Sequence, residues 1–123
     1  MEAQPRHTFS SDERIKRRND FRRCIKQGVR AAGKAIVVCV IPNGLGVNRL
    51  GASSTRRLGN AVARNAQKRL VREAFRLTKH ALPPGLDMVV LPKVPWREPT
   101  LDELKADLVG TTQRAAAKLP NDS

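Results

Sequence analysis

The chain has 123 residues, 24 of them Lys or Arg against 11 Asp or Glu, and a formal net charge of +13. That length holds one domain with a modest core and excludes two. The charge balance points to nucleic acid or an acidic membrane surface. No apolar run approaches bilayer length and no signal-peptide pattern opens the chain, so no membrane partner is expected. Cys24 and Cys39 stand alone, without C-x-x-C spacing or a neighbouring His, and read as small reduced core residues of a cytoplasmic protein.

Residues 1–13 are polar and are expected to form a disordered tail ahead of a domain over 14–119, with 120–123 as a second tail. A basic approach, Arg14-Ile-Lys-Arg-Arg18, leads into a short helix with Asn19 as its expected N-cap. Phe21, Cys24 and Ile25 recur at i, i+3, i+4 on its apolar face, Arg22, Arg23 and Lys26 point away, and Gly28 stops it. The apolar, β-branched run at 34–41 then predicts a strand buried on both faces. After a Pro-Asn-Gly turn, residues 49–55 carry small and hydroxyl side chains, as suits a strand closely passed by another backbone.

Residues 56–79 form the most distinctive stretch, with eight basic side chains against one acid, Glu73. Asn60 is a suitable N-cap and Pro83-Pro84 forbid continuation, so a helix is predicted over about 60–80. At the helical period Ala63, Ala66, Leu70, Ala74 and Leu77 fall on one side and are expected to pack on the core. Arg64, Asn65, Lys68, Arg69, Arg72, Arg76 and Lys79 fall on the other, with Phe75 near its edge and Glu73 in register with Arg69 and Arg76. A bare face with so little acid repels itself unless an anion covers it.

Residues 87–92 predict a further apolar strand, and Trp96, in a proline-interrupted loop, is expected to cover the core. Thr100-Leu-Asp-Glu103 is a capping box, followed by a stripe of Leu101, Leu104, Leu108 and Ala115. The order is helix, strands, helix, strand, helix: a small α+β sandwich.

Catalytic chemistry is missing from this pattern. His7 lies in the tail, His80 at a helix end beside prolines, and Ser53, Ser54 and Thr55 have no adjacent base in sequence. No catalytic or metal-ligating residue is assigned, and any part in catalysis is expected to come from binding and positioning.

The run Arg56-Arg-Leu-Gly-Asn-Ala-Val-Ala-Arg-Asn65, continued by Lys68-Arg69-x-x-Arg72-Glu73, resembles the protein component of bacterial ribonuclease P. Asn19-Asp20-Phe21, Gly28, the AIVV strand, Arg49-Leu-Gly51 and Asp87-Met-Val-Val90 extend the likeness over about 14–118. The resemblance implies a small protein bound to a large catalytic RNA, the pair removing the 5′ leader of precursor tRNA in tRNA processing. It implies Mg2+ held mainly by the RNA subunit, and no DNA partner. It also implies a left-handed crossover in the strand-helix-strand unit, against the usual rule.

By the same resemblance Arg56, Arg57, Arg64, Asn65, Lys68, Arg69, Arg72 and Arg76 face RNA. Phe21, Ile25, Lys34, Ile36, Val38, Ser53 and Thr55 match the cleft that receives the single-stranded leader. The chain departs from the family at Ala66, where Arg is usual, at Gln67, where an apolar residue is common, and at Ile25 and Cys39, where relatives often carry aromatics. With Phe9, Phe21, Phe75 and Trp96 its only aromatics, leader binding is expected to lean on phosphate contacts and shape rather than stacking. The alternative reading is a general RNA- or ribosome-binding protein with no part in an enzyme.

Overall fold

A computed structural model describes residues 9–120. Strands Val29–Ala32 (β1), Ile36–Pro42 (β2), Arg49–Ala52 (β3) and Leu86–Pro92 (β4) form one sheet in the order β1-β2-β4-β3. The β1–β2 and β2–β4 pairs are antiparallel, and β3 lies parallel to β4. Helix Ala61–Thr78 (α2) connects those two parallel neighbours, the unit in which the resemblance expects the left-handed crossover. Helix Arg18–Gln27 (α1) covers one face of the sheet, while α2 and helix Leu101–Ala116 (α3) cover the other.

Alternation along the strands assigns side chains to the two faces. Ile36, Val38 and Val40 of β2, with Met88 and Val90 of β4, pack with Val71, Ala74, Phe75, Leu104 and Leu108. Cys39, Ile41 and Val89 turn the other way and pack with Cys24 of α1, rimmed by Ile15, Phe21, Ile25 and Leu91. With both faces covered, the apolar run of β2 needs no polar alternation. Burial pushes the Cys24 thiol up to about 12, with Cys39 nearby adding to the shift. Its Sγ donates to the carbonyls of Cys39 (3.3 Å) and Asp87 (3.4 Å), so this cysteine is a core group and not a nucleophile.

Local signals set the helix ends. Asn60 Oδ1 accepts from the Ala63 amide at 2.9 Å, and Thr100 with Glu103 closes the expected capping box. The first helix starts differently: Arg17 is its N-cap, without a side-chain cap bond, and Asn19 sits within the first turn. Gly28 ends it because a Cβ there would lie 2.4 Å from the Cys24 carbonyl oxygen and 2.5 Å from that of Val40. The close approach expected over residues 49–55 is made by a ring, since a Cβ on Gly51 would fall 2.8 Å from Phe21.

Packing also corrects the face of α2. Its fully buried stripe contains Gln67, Val71, Ala74 and Phe75, whereas Ala66 is exposed and Ala63, Leu70 and Leu77 are half-buried. Phe75, expected beside the cations, is a core residue, its ring edge-on to Phe9 at 5.5 Å between centroids. Alanines carry little transfer energy, so one large ring and a valine outweigh them in setting the helix rotation.

Of the expected tail, residues 1–8 lie outside the described residues, but residues 9–13 are packed. Phe9 covers Phe75, the Arg14 guanidinium lies 4.3 Å above the Phe9 ring, and the Ile15 amide donates to the Leu50 carbonyl at 3.0 Å. Lys79, placed by its spacing on the open basic face, instead binds Glu13 through Nζ at 2.8 and 3.0 Å. Burial pushes the Glu13 carboxyl up, but hydrogen bonds from Lys79 and Ser10 and the Lys79 charge outweigh it, leaving its pKa below the ordinary glutamate value. A depressed folded-state pKa adds stability above the unfolded value that disappears as pH falls through the folded one. Glu13→Gln should therefore melt below wild type at neutral pH, with the gap closing as pH drops below the ordinary glutamate range. A gap that persisted in acid would mean that the charge pair is not its source.

Gln67 is fully buried, and neither its Oε1 nor its Nε2 has a hydrogen-bond partner. An unpaired buried amide costs stability, so Gln67→Leu should stabilise the fold by about 1–2 kcal/mol, read from urea midpoints at unchanged m. A lowered midpoint would show that the amide is satisfied in solution.

Candidate nucleic-acid interface

The basic side chains expected to meet RNA stand on α2 and on the turn before it. The Leu58 amide closes that turn onto the Thr55 carbonyl at 3.0 Å, which leaves Arg56 and Arg57 exposed at its tip. Along the helix Asn65 and Arg69 are exposed, and Arg64, Lys68, Arg72 and Arg76 are half-buried, their stems lying on the protein and their heads reaching outward. Arg56, Arg57, Arg64, Lys68, Arg69 and Arg72 make no ion pair within the described residues. Arg76 differs, since Glu73 holds it. That bond keeps the Glu73 carboxyl below the usual range and raises the Arg76 guanidinium.

Ser53 leaves the end of β3 with its amide bonded to the Val90 carbonyl at 2.9 Å, which places it beside the first turns of α2. There Ser53, Ser54, Arg64, Asn65 and Lys68 line an open depression of about 370 Å3. Two cations and two serine hydroxyls lining one hollow suit a phosphate group. The Ser54 Oγ and Arg64 Nε atoms at this place have no hydrogen-bond partner. Thr55 stands next to it and accepts from the Arg57 amide at 3.4 Å.

The residues expected to form a leader cleft are not all gathered in one place. Phe21 and Ile25 are half-buried on the α1 face of the sheet, beside Leu91 and Ile15. Ile36 and Val38 are 0 % exposed and face α2 and α3, which corrects their assignment to an open cleft. A shift of one residue along a strand exchanges its two faces. The half-buried β2 residue on the α1 side is Val37, directly opposite Leu91 in the β4 register. Lys34 is exposed in the β1–β2 turn, where Asp107 of α3 accepts its amide at 2.9 Å and that of Ala35 at 2.8 Å. It shares a depression with Glu103 and Asp107, away from Phe21 and Ser53.

Val37 and Leu91 could have been found from alternation alone only if the face covered by α1 had been known. Beneath α1, Arg49 joins three elements: its Nε and Nη2 donate to Asp87 at 2.7 and 2.6 Å, and Asp20 stands 3.5 Å away. Among the described residues no group of three or more His, Cys, Asp or Glu side chains could hold a metal ion. No helix there is long and apolar enough to cross a membrane.

The sequence matches the Ribonuclease P family over residues 9–116. It is 36% identical over 113 residues to the ribonuclease P protein component of Shouchella clausii (strain KSM-K16), covering 91% of this chain and 93% of that one. The solved ribonuclease P protein of Thermotoga maritima superposes with a TM-score of 0.74 at 33% identity, over 83% of this chain and 96% of the other. That of Staphylococcus aureus gives 0.71 at 34% identity, over 89% and 98%. With the mixed sheet, the basic α2 and the family match agreeing along nearly the whole described length, the chain belongs to the ribonuclease P protein family.

Proposed function

We propose that the chain acts as the protein subunit of ribonuclease P, binding the catalytic RNA and the 5′ leader of precursor tRNA so that the leader is cut away. The observation that carries this reading is the row of cations on and before α2 that finds no carboxylate among the described residues, beside the Ser53–Ser54 hollow. Two RNAs repel at every phosphate pair. A basic protein between them lowers that repulsion and holds the substrate in a cleavable pose.

The cleavage centre belongs to the RNA subunit in this proposal. Mg2+ bound by that RNA would supply the Lewis-acid chemistry of the cut, and no residue of this chain is assigned to hold it. The chain's own residues bind and orient: α2 lies against folded RNA, and the leader follows the α1 face past Phe21. Both cysteines are free and buried, in keeping with a cytoplasmic home.

Reconstitution with the ribonuclease P RNA of the same genome provides the test. Added protein should make precursor tRNA cleavage efficient at low Mg2+, where RNA alone is slow. A protein that binds both RNAs without stimulating cleavage would be a passive RNA binder, and the proposal would fall.

A further inference from the structure

Each edge of the sheet carries backbone groups with no neighbouring strand, and another chain can pair with such a row. At β3 the chain closes its own edge. The Ile15 amide donates to the Leu50 carbonyl at 3.0 Å, and Arg14 bridges to Leu50 in parallel. The β1 edge is closed by other means. The Gly33 amide donates to the Ile36 carbonyl at 2.7 Å, and in an antiparallel pair the bonded positions alternate. Val29 and Ala31 therefore bond to β2, while Arg30 and Ala32 turn their amides and carbonyls outward.

Those two carbonyls are taken by α3 and the turn after it. Arg114 Nη2 donates to the Ala32 carbonyl at 2.9 Å, and Lys118 Nζ to the Arg30 carbonyl at 2.6 Å. Thr111 accepts from Arg114 at 3.2 Å and donates to Asp107 at 3.3 Å, and Asp107 holds the amides of the β1–β2 turn. Asp107, Thr111, Arg114 and Lys118 stand at i, i+4, i+7 and i+11, a single stripe of the helix carried into the turn beyond it. Four helical residues rise about 6 Å and two strand residues about 6.6 Å, so stripe and edge stay in step over this length. Leu119 packs back on the core and fixes the end of the stripe. The outward amides of Arg30 and Ala32 find no acceptor among the described residues. An incoming strand needs these amides and both carbonyls, and the carbonyls are occupied.

We infer that Arg114 and Lys118 form a strap that shuts the β1 edge, and that what it shuts out is a second copy of this chain pairing β1 to β1. The two outward positions are the same on both copies, so an antiparallel ladder about a two-fold axis matches each amide to a carbonyl. Free chains of net charge +13 repel one another. Bound phosphates neutralise that repulsion, and the strap is then the barrier that remains. It acts on the assembly of the chain and does not depend on the function proposed above.

The test follows the full-length chain by sedimentation velocity at rising concentration, in salt high enough to screen the net charge, with amide exchange on the same samples. Wild type should stay monomeric, with the Arg30 and Ala32 amides exchanging fast. R114A/K118A should self-associate about tenfold more tightly or better, since each freed carbonyl gains a bond across the dimer. The Arg30 and Ala32 amides should then slow in the associated sample. K93A/R97A removes two exposed charges elsewhere and should match wild type. Adding A32P to the double variant should restore the monomer, because proline deletes an outward amide and no bond to β2. Should the double variant fail to fold, K118A, which lies beyond the helix, carries the same test with a smaller gain. Association no tighter than wild type, an equal rise in K93A/R97A, or a dimer that survives A32P or leaves both amides fast would overturn the strap.

Discussion

Arg49→Ala should be the most damaging single change among the polar residues. The Asp87 side chain is 5 % exposed and takes both of its charge-assisted bonds from Arg49, with Asn43 Nδ2 as a further donor at 3.1 Å. Removing the guanidinium leaves a buried charge without its counter-ion, a loss of about 3–5 kcal/mol where one partner of a buried pair is deleted. Arg49 is itself one-fifth exposed, which favours the lower end. A melting-temperature drop of roughly 10 °C or more follows for a domain of this size. Arg49→Lys should fall between, keeping the charge but losing the two-pronged geometry. Because Asp20 meets the same guanidinium, amide exchange should quicken in α1 as well as in β3 and β4. An Arg49→Ala protein melting within a degree of wild type would show that Asp87 is satisfied some other way.

Arg69→Ala and Arg64→Ala should do the opposite, leaving the fold and losing the RNA. Arg69 is exposed without an ion pair, and Arg64 carries an Nε that has no partner within the protein. Surface substitutions of this kind change stability by no more than about 0.5 kcal/mol. A charge-assisted bond to phosphate contributes about 1.5–3 kcal/mol, so affinity or single-turnover cleavage should fall tenfold or more. Each lost phosphate contact should also take about 0.7–0.9 from the log–log salt slope. Thermal melts run beside single-turnover cleavage separate the two roles; equal losses in both would mark these arginines as structural.

Arg49 and Arg69 also show how differently the parts of this chain can be read from sequence. Arg69 belongs to a helix whose beginning and charge are local matters. Asn60 caps it within three residues, and the lack of acid is evident along the sequence itself. Arg49 appears in sequence as one more cation before a small-residue strand. Its partners lie 38 and 29 residues away, and only the folded sheet brings them together. Residues 9–13 are a similar case, since a polar stretch becomes part of the body through Phe9 on Phe75 and Glu13 on Lys79.

The sequence by itself determined the order of the three helices and of β2, β3 and β4, though not the short β1, and with it the caps of α2 and α3, the burial of β2 on both faces and the cationic character of α2. These rest on interactions a few residues long or on charge, which no packing can remove. Tertiary structure alone decided which side of β2 meets α1, so that Val37 and not Ile36 or Val38 stands toward the cleft. It also decided the rotation of α2, with Gln67 and Phe75 inside and Ala66 outside. The reason is the same in both cases. A strand apolar on every residue and a helix of alanines and arginines have two nearly equivalent ways to face a core, and the neighbours that choose between them are distant in the chain.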